Sequence, residues 1–465
     1  SLLHEFGDAE IASLVHPRAL LIEACRAPEV AGPPPPKTGR DDAASGRITT
    51  PTVETTRREV ERARTLGGSP NLLASRAERV WNEGDEGRRA FLKALGLGDR
   101  LAAPSGEVIQ VLGRIDPRGR MRRLVEGYVA AIQARLRTSE SRRTEKWSKA
   151  DASSPERWAE STKPFREEFW TELIGQLPPA TEPLKPRAVK LFDEPRWVGY
   201  GVELPVYPDV VASGVYLLPR DLKPGEKRPV VVCQHGLEGT PDPIVDPKIA
   251  SVYHNYGARL ADRGYIVYAP QNPYIGQDRF RTLVRKAHPL KQSLYAIIVR
   301  QHERTLEWLA SRPEVDPARI AFYGLSYGGK TAMRIPAILP GYCLSICSAD
   351  FNEWVIKNTN IDRRYSYLYT LEYDMYEWNL SEGFNYAEMA GLIAPRPFLV
   401  ERGHDDGVAP DEWVFFEYAK VKRLYDKLGL GDRVGMALFN GGHMIDGKET
   451  FPFLDRHLKW TPRHP

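Results

Sequence analysis

Ile320-Ala321-Phe322-Tyr323-Gly324-Leu325-Ser326-Tyr327-Gly328-Gly329 is the stretch that decides the fold. A short run of apolar and aromatic residues reads as a buried strand. It ends in G-x-S-x-G, and helix-forming residues follow. Small residues flank Ser326 because a turn this sharp leaves no room for side chains. The turn lifts the serine hydroxyl to the carboxyl edge of a sheet. The N-terminus of the following helix favours negative charge developing there. Val315-Asp316-Pro317-Ala318-Arg319 leads into the same strand.

Working outward, similar apolar runs recur at Val230-Val231-Val232-Cys233, Tyr265-Ile266-Val267-Tyr268, Cys343-Leu344-Ser345-Ile346, Pro397-Phe398-Leu399-Val400 and Gly435-Met436-Ala437-Leu438-Phe439. Helical stretches at 248–262, 290–310 and 411–428 separate them. Strand alternating with helix predicts a mostly parallel, doubly wound sheet. Continuous apolarity, rather than alternation, predicts strands buried on both faces. Residues 198–204 and 214–218 read as an antiparallel lead-in.

A serine hydroxyl is a poor nucleophile without a base. In this motif the partners follow in the order Ser, acid, His. His443, in Asn440-Gly441-Gly442-His443 just past the last strand, is the expected base, with His404 its main competitor. His457 lies in a terminal helix and reads as a surface residue. The acid belongs in Glu401-Arg402-Gly403-His404-Asp405-Asp406-Gly407: Asp405 is the first choice and Asp406 the second. Glu401 sits too near the strand end and is expected to anchor the loop by pairing with Arg402. Two backbone amides would hold the oxyanion, those of Tyr327 and of Leu237 in His235-Gly236-Leu237-Glu238-Gly239. His235 is expected either to orient that loop beside the substrate, as a substrate-binding residue, or to be a purely structural histidine.

From the His-Gly loop, the Gly324–Gly329 elbow, Pro395-Arg396-Pro397 and the Gly442-His443 turn, the chain resembles the α/β-hydrolase superfamily over about residues 189–462. It looks most like the branch of acetyl-xylan-esterase-like and dienelactone-hydrolase-like proteins. The resemblance implies a Ser326, Asp405, His443 triad and acyl transfer through an acyl-enzyme, with no metal and no cofactor. Gly324-Leu325-Ser326-Tyr327-Gly328-Gly329-Lys330 is also similar to glucuronoyl esterases in placing a Lys four residues past the nucleophile. Those enzymes carry Arg where this chain has Tyr327.

The N-terminal region repeats part of this pattern. Ala9–Glu23 resembles Ala387–Glu401, with nine of twenty-two positions identical when the match is extended to Val30 and Val408. Val60–Gly68 matches Val421–Gly429, and Val80–Gly84 falls where Leu438–Gly442 falls. Residues 1–105 are thus expected to be the C-terminal portion of a degenerate hydrolase-like repeat, 106–188 a helical connector, and 189–465 the catalytic domain. In the first copy Ala27 stands for Asp405 and Asp85 for His443, so acid and base are both lost. Two strands cannot bury both faces of a sheet alone. That segment is expected to pack on the catalytic domain, on upstream sequence or on another subunit.

In the connector, Met121, Leu124, Val125, Tyr128, Val129, Ile132 and Leu136 form one apolar helical stripe. Arg122, Arg123, Arg135 and Arg137 cover the other side as a solvated face. Residues 30–56 read as a loop, with Pro33–Pro36 the one low-complexity run, and 177–186 as a Pro-rich break. The 465 residues are 42% hydrophobic and 27% charged with net charge +4. That balance is too even to argue for nucleic acid. No apolar run is long enough to span a membrane. Four cysteines make neither a disulfide framework nor a zinc pattern. Residues 1–14 do not read as a signal peptide, and a start within a longer precursor is expected. The compartment is not legible, and a secreted or periplasmic bacterial setting is compatible.

Residues 351–386 are rich in aromatics and are expected to overhang Ser326, with Trp354, Tyr365 and Trp378 beside Lys330 in substrate binding. Aromatic faces with polar tips suit sugar rings and aryl groups. The loop 271–286, with Arg279, Arg281, Arg285 and Lys286, would either grip an anion or stay solvated. The expected activity is carboxylic ester hydrolysis on carbohydrate-linked (acetyl or uronate) or small aryl esters. A prolyl-oligopeptidase-like serine peptidase and a non-catalytic binding protein are the alternatives.

Overall fold

The computed structural model describes residues 5–26, 29, 31, 47–73, 86–98, 106, 116–361, 364–370 and 377–463. They form two compact units, divided between Val125 and Glu126.

In the first unit, β1 (Leu20–Glu23) and β2 (Pro70–Leu73) pair in parallel, Leu20 opposite Pro70. Helix Asp8–Ser13 precedes β1, and helix Val53–Thr65 precedes β2. The Thr52 hydroxyl caps the second helix by accepting the amide of Thr55 at 3.1 Å. Arg62 on that helix pairs with Glu10 on the first, and Ala9, Val60 and Ala63 are buried. The second strand is therefore 70–73, ten residues before the segment that the repeat assigned to it. Residues 74–85 and Ala27, with the expected counterparts of the acid and base, lie outside the described residues.

The second unit is built on nine strands: β3 (Arg187–Asp193), β4 (Trp197–Tyr207), β5 (Val210–Pro219), β6 (Arg228–Gln234), β7 (Ile266–Gln271), β8 (Val315–Leu325), β9 (Leu344–Ser348), β10 (Phe398–Gly403) and β11 (Val434–Phe439). Their order across the sheet is β11-β10-β9-β8-β6-β7-β5-β4-β3. β6 to β11 run parallel to one another, and β5, β4 and β3 complete the sheet antiparallel beyond β7. This is the α/β-hydrolase fold.

Period-two alternation sends Val230, Val232, Ile266, Tyr268, Ile320 and Phe322 into one buried layer. Val231, Cys233, Val267, Ala269, Ala321 and Tyr323 enter the other. Both layers are covered, so the strands read as unbroken apolar runs.

Helices Pro155–Ser161 and Lys163–Glu168 and the π-helical turn Phe169–Ile174 bring Trp158, Phe165, Phe169 and Ile174 into the first layer beside Ile298 and Met333. Trp158 Nε1 donates to Gly391 O at 2.8 Å. Most of the helical stretch therefore belongs to the sheet's own core and is not a separate connector. Its aromatic side chains each gain about 1.5–3 kcal/mol from that burial.

Helix Pro117–Arg137 forms as its periodicity predicts, but its apolar stripe is not core. Met121, Leu124, Val125, Tyr128, Val129 and Ile132 are 47–62% exposed. Among its basic residues, Arg135 donates to Glu382 at 2.9 Å. No helix among the described residues is long and apolar enough to cross a membrane. The four cysteines are free.

Candidate active site

β8 ends at Leu325, and Ser326 turns into helix Tyr327–Ile338 with φ +60° and ψ −122°. A non-glycine residue holds this region only when its surroundings impose it, and here they do. The Ser326 amide donates to Ser348 O at the end of β9 at 2.9 Å, and Lys330 N donates to Ser326 O at 2.8 Å. A Cβ on Gly324 would lie 2.1 Å from Gly328 O, and one on Gly328 would lie 2.4 Å from Gln234 O. The glycines are thus required by close backbone approach.

The loop after β6 packs against this elbow. A Cβ on Gly236 would come within 3.1 Å of Ser326 Cβ. Gly236 N donates to Tyr253 Oη at 2.7 Å, and Tyr274 Oη donates to His235 O at 2.7 Å. Glu238, at φ +57°, accepts the amides of Gly276 at 2.8 Å and Gln277 at 3.0 Å and the Arg281 guanidinium at 3.1 Å. Arg281 is accordingly buried and committed to the loop, so it does not serve as an exposed anion grip.

His235 is fully buried beneath the same loop. Its Nε2 accepts the Asn272 amide at 3.1 Å. Nδ1 therefore carries the proton and donates to Gly236 O at 2.8 Å. Burial holds its pKa down at about 4. His235 is a neutral brace for the loop and does not line the cavity at Ser326, contrary to its placement among substrate-binding residues.

His443 Nδ1 lies 3.0 Å from Asp406 Oδ1. Asp406, not Asp405, is the carboxylate that meets the imidazole. The Asp405 amide is tied to Gly441 O at 2.9 Å and its side chain is exposed, so the next residue turns inward. Asp406 Oδ1 also accepts Val408 N at 2.9 Å, and Arg402 Nη1 stands 3.4 Å from Oδ2. The His443 and acid loops are packed backbone to backbone, since a Cβ on Gly403 would lie 2.4 Å from the carbonyls of Gly441 and Gly442. β8, β10 and β11 point the same way, which brings Ser326, Asp406 and His443 to one sheet edge.

Glu401 does not pair with Arg402. Adjacent strand residues face opposite sides of a sheet. Arg402 turns to Asp406 and to Asp411, the latter at 3.1 Å. Glu401 is enclosed by Tyr323, Ser348, Gly447 and Thr450. His404 is occupied by Asp411 at 2.7 Å. His457 is half-buried against Phe453, with ring centroids 4.3 Å apart, and is not a surface residue.

A cavity of about 60 Å³ opens at Ser326 between Leu237, Tyr327, Lys330, Asp350, Trp354, Tyr367 and Val408. The Lys330 ammonium is buried over the rings of Tyr327 and Trp354, at 5.0 and 5.1 Å, and 3.8 Å from Glu377. Burial alone would raise the Glu377 carboxyl, but Arg334, bonded to it at 2.5 and 2.6 Å, holds it below the usual range. Burial raises Asp350, with the Tyr386 hydroxyl at 2.5 Å opposing the shift. Trp354 stacks on Tyr386 at 12°.

On its other side Trp354 borders a second cavity of about 130 Å³, with Asn358, Glu377, Asn379 and Ser381 in its wall. Among the described residues, Trp354 Nε1 and Asn358 Oδ1 are buried without a hydrogen-bond partner. The structure does not bring Tyr365 or Trp378 to the Ser326 cavity. Tyr365 packs on Trp413 at 5.9 Å, and Trp378 is 79% exposed. Tyr373 and Tyr376 lie outside the described residues.

Sequence reasoning missed Tyr253 and Tyr274, which brace the loop after β6 and belong to no motif, and gave Arg402 the wrong partner. Among the described residues no cluster of His, Cys, Asp and Glu is arranged to hold a metal ion.

Residues 219–341 match the family model of the Dienelactone hydrolase family. YtaP of Bacillus subtilis (strain 168), a hydrolase by name, is 28% identical over 170 residues, 36% of this chain and 54% of that protein. Human dipeptidyl peptidase 8 is 25% identical over 203 residues, 43% of this chain and 20% of that protein. The chain thus spans about half, or less, of these relatives' length. Among solved structures, a glucuronoyl esterase from Solibacter usitatus superposes with a TM-score of 0.52 at 14% identity, covering 65% of this chain and 93% of that one. A protein named as an acetyl xylan esterase from Bacteroides fragilis NCTC 9343 gives 0.51 at 16% identity, covering 66% and 81%. The likeness to both structures is one of fold.

Proposed function

We propose that this member of the α/β-hydrolase superfamily is a serine carboxylic ester hydrolase acting through an acyl-enzyme on carbohydrate-linked esters. The observation that carries the reading is the 3.0 Å contact between His443 Nδ1 and Asp406 at the sheet edge where Ser326 sits in its elbow. That contact leaves Nε2 as the basic nitrogen. Ser326 Oγ attacks the ester carbonyl while His443 takes its proton. Asp406 steadies the imidazolium without itself taking the proton. The amides of Leu237 and Tyr327 hold the oxyanion. Collapse breaks the ester C–O bond, and the alcohol leaves with the proton from His443. Water, deprotonated by His443, then attacks the acyl carbon and frees Ser326.

The matched family model and the likeness to YtaP support hydrolysis. A glucuronoyl esterase and a protein named as an acetyl xylan esterase are among the fold neighbours, and those names support a carbohydrate ester. The 60 Å³ beside Ser326 is well short of the roughly 150 Å³ that holds a benzene ring, which favours an acetyl-sized acyl group over an aryl one. The uronate reading keeps one observation in its favour, the Lys330 ammonium in the cavity wall.

The test is a panel of acetyl, feruloyl and methyl-uronate esters with aminoacyl amides as the peptidase arm. Acetylated sugars should be turned over fastest. Preference for amides would overturn the ester reading in favour of the peptidase suggested by the dipeptidyl peptidase 8 match. Hydrolysis that survives Ser326→Ala would overturn the mechanism.

A further inference from the structure

Glu401 carries out no step of that chemistry, yet its carboxylate accepts four hydrogen bonds at the edge of the sheet where Ser326 sits. It is 1% exposed. Oε2 accepts the hydroxyls of Tyr323 and Ser348, both at 2.7 Å. Oε1 accepts the Gly447 amide and the Thr450 hydroxyl, both at 2.8 Å. Four donors match the four lone-pair positions of an ionised carboxylate. Among the described residues no cation pairs with it, and the four donors are neutral dipoles.

The four donors come from two places. Tyr323 lies on β8, three residues before the nucleophile. Ser348 ends β9, and its carbonyl holds the Ser326 amide at 2.9 Å. Its carbonyl also lies 2.5 Å from where a Cβ on Gly329 would stand. Gly447 and Thr450 belong to the segment that leaves His443. The other ends of that segment are fixed elsewhere: Ile445 N donates to Val252 O at 2.8 Å, and Ile445 O meets His254 Nδ1 at 2.7 Å. Asp405 N holds Gly441 O.

We infer that Glu401 is a positioning residue that ties the Ser326 elbow to the His443 loop, fixing nucleophile and base relative to each other. The inference rests on the serine-hydrolase reading above. A carboxylate suits this task because it accepts from both sides at once. An amide can keep the Gly447 and Thr450 bonds through its oxygen only by turning its NH₂ to the Tyr323 and Ser348 hydroxyls, which must then accept instead of donate and give up their hold from the elbow side. Misplacing a catalytic group by about 1 Å can cost on the order of 10²-fold.

The experiment uses the full chain and compares wild type with Glu401→Gln, Ser348→Ala and Thr450→Val. Active sites are titrated with a fluorophosphonate, and its rate of reaction per titratable site is measured beside kcat and KM for an ester that wild type hydrolyses. The expected result for Glu401→Gln is a loss on the order of 10²-fold in kcat and in labelling rate per site, with KM within about twofold. Ser348→Ala and Thr450→Val, which remove one donor from each side, should fall in the same direction by less. A merely structural role would lower the number of titratable sites and leave the rate per site at the wild-type value, and that result overturns the inference. If Glu401→Gln does not fold, the two single-donor variants decide the matter by the same rate per site. If wild type itself is neither labelled at Ser326 nor active on any ester, the hydrolase reading fails and the inference falls with it.

Discussion

Asp406 and His443 meet with unequal exposure: the carboxylate side chain is wholly buried, and the imidazole is 33% exposed. The carboxylate is enclosed by protein, and the imidazole is partly open on the side away from it. Exchanging Asp406 for Asn should therefore leave the loop in place but present the wrong hydrogen-bonding partner to Nδ1. A loss of about 10⁴-fold in kcat is expected. Asp405→Asn, on an exposed side chain, should stay within a few-fold. Equal losses at the two positions would remove Asp406 from the mechanism.

Ser326→Ala should lower kcat by roughly 10⁵-fold or more, as for other triad nucleophiles. The elbow should survive, since its bonds to Ser348 and Lys330 are backbone ones. Circular dichroism and thermal melting should match wild type while ester turnover is lost.

Gly236→Ala places a Cβ 3.1 Å from Ser326 Cβ and 3.2 Å from Tyr253 Oη. Either the loop or the nucleophile must shift by a few tenths of an ångström. The expected outcome is a fall of about 10- to 100-fold in kcat, with the fold retained. Unchanged turnover would mean that the loop does not face the reacting carbonyl.

Trp354 separates the two cavities and is fully buried. Trp354→Phe should thin the wall and shift acyl preference from acetyl toward butyryl, read as a ratio of kcat/KM values. The substitution should also cost stability, by about 1–3 kcal/mol, because the vacated volume is only partly refilled. A variant that keeps the wild-type chain-length preference would show that Trp354 does not limit the acyl side.

Two buried histidines make the fold acid-sensitive. Burial holds His235 at about 4 and His302 at about 3. Unfolded, both titrate near 6.5. Below about pH 6.5 the unfolded chain binds protons that the folded chain refuses, so stability falls as pH drops toward 4. Between pH 6.5 and 5 each group should cost about 2 kcal/mol. Urea unfolding at both pH values should show the loss. His302→Gln should flatten the slope by about half, and an unchanged slope would assign the acid sensitivity to the carboxylates alone.

The sheet, the elbow and His443 were legible because each rests on a local pattern: apolar runs, crowded glycines, and a histidine after a strand. The carboxylate that meets His443 was legible only to within one residue. Whether Asp405 or Asp406 turns inward depends on a backbone bond to Gly441, thirty-six residues away. The pairing of Glu401 with Arg402 could have been rejected from strand alternation alone. The helical stretch before the sheet was misread as a connector because helix periodicity reveals an apolar face and not its partner. Trp158 and Phe165 found the sheet's core, and Tyr128 and Ile132 did not. Trp378 shows the same gap, since aromatic content cannot say which ring faces inward.

Leu237 and Tyr327 line the Ser326 cavity, and in the proposed mechanism their main-chain amides are the groups that hold the oxyanion. The two duties are separable. Residues 237 and 327 can be exchanged to resculpt specificity with the donors left standing, which makes this pair the natural place to begin directed evolution toward new esters.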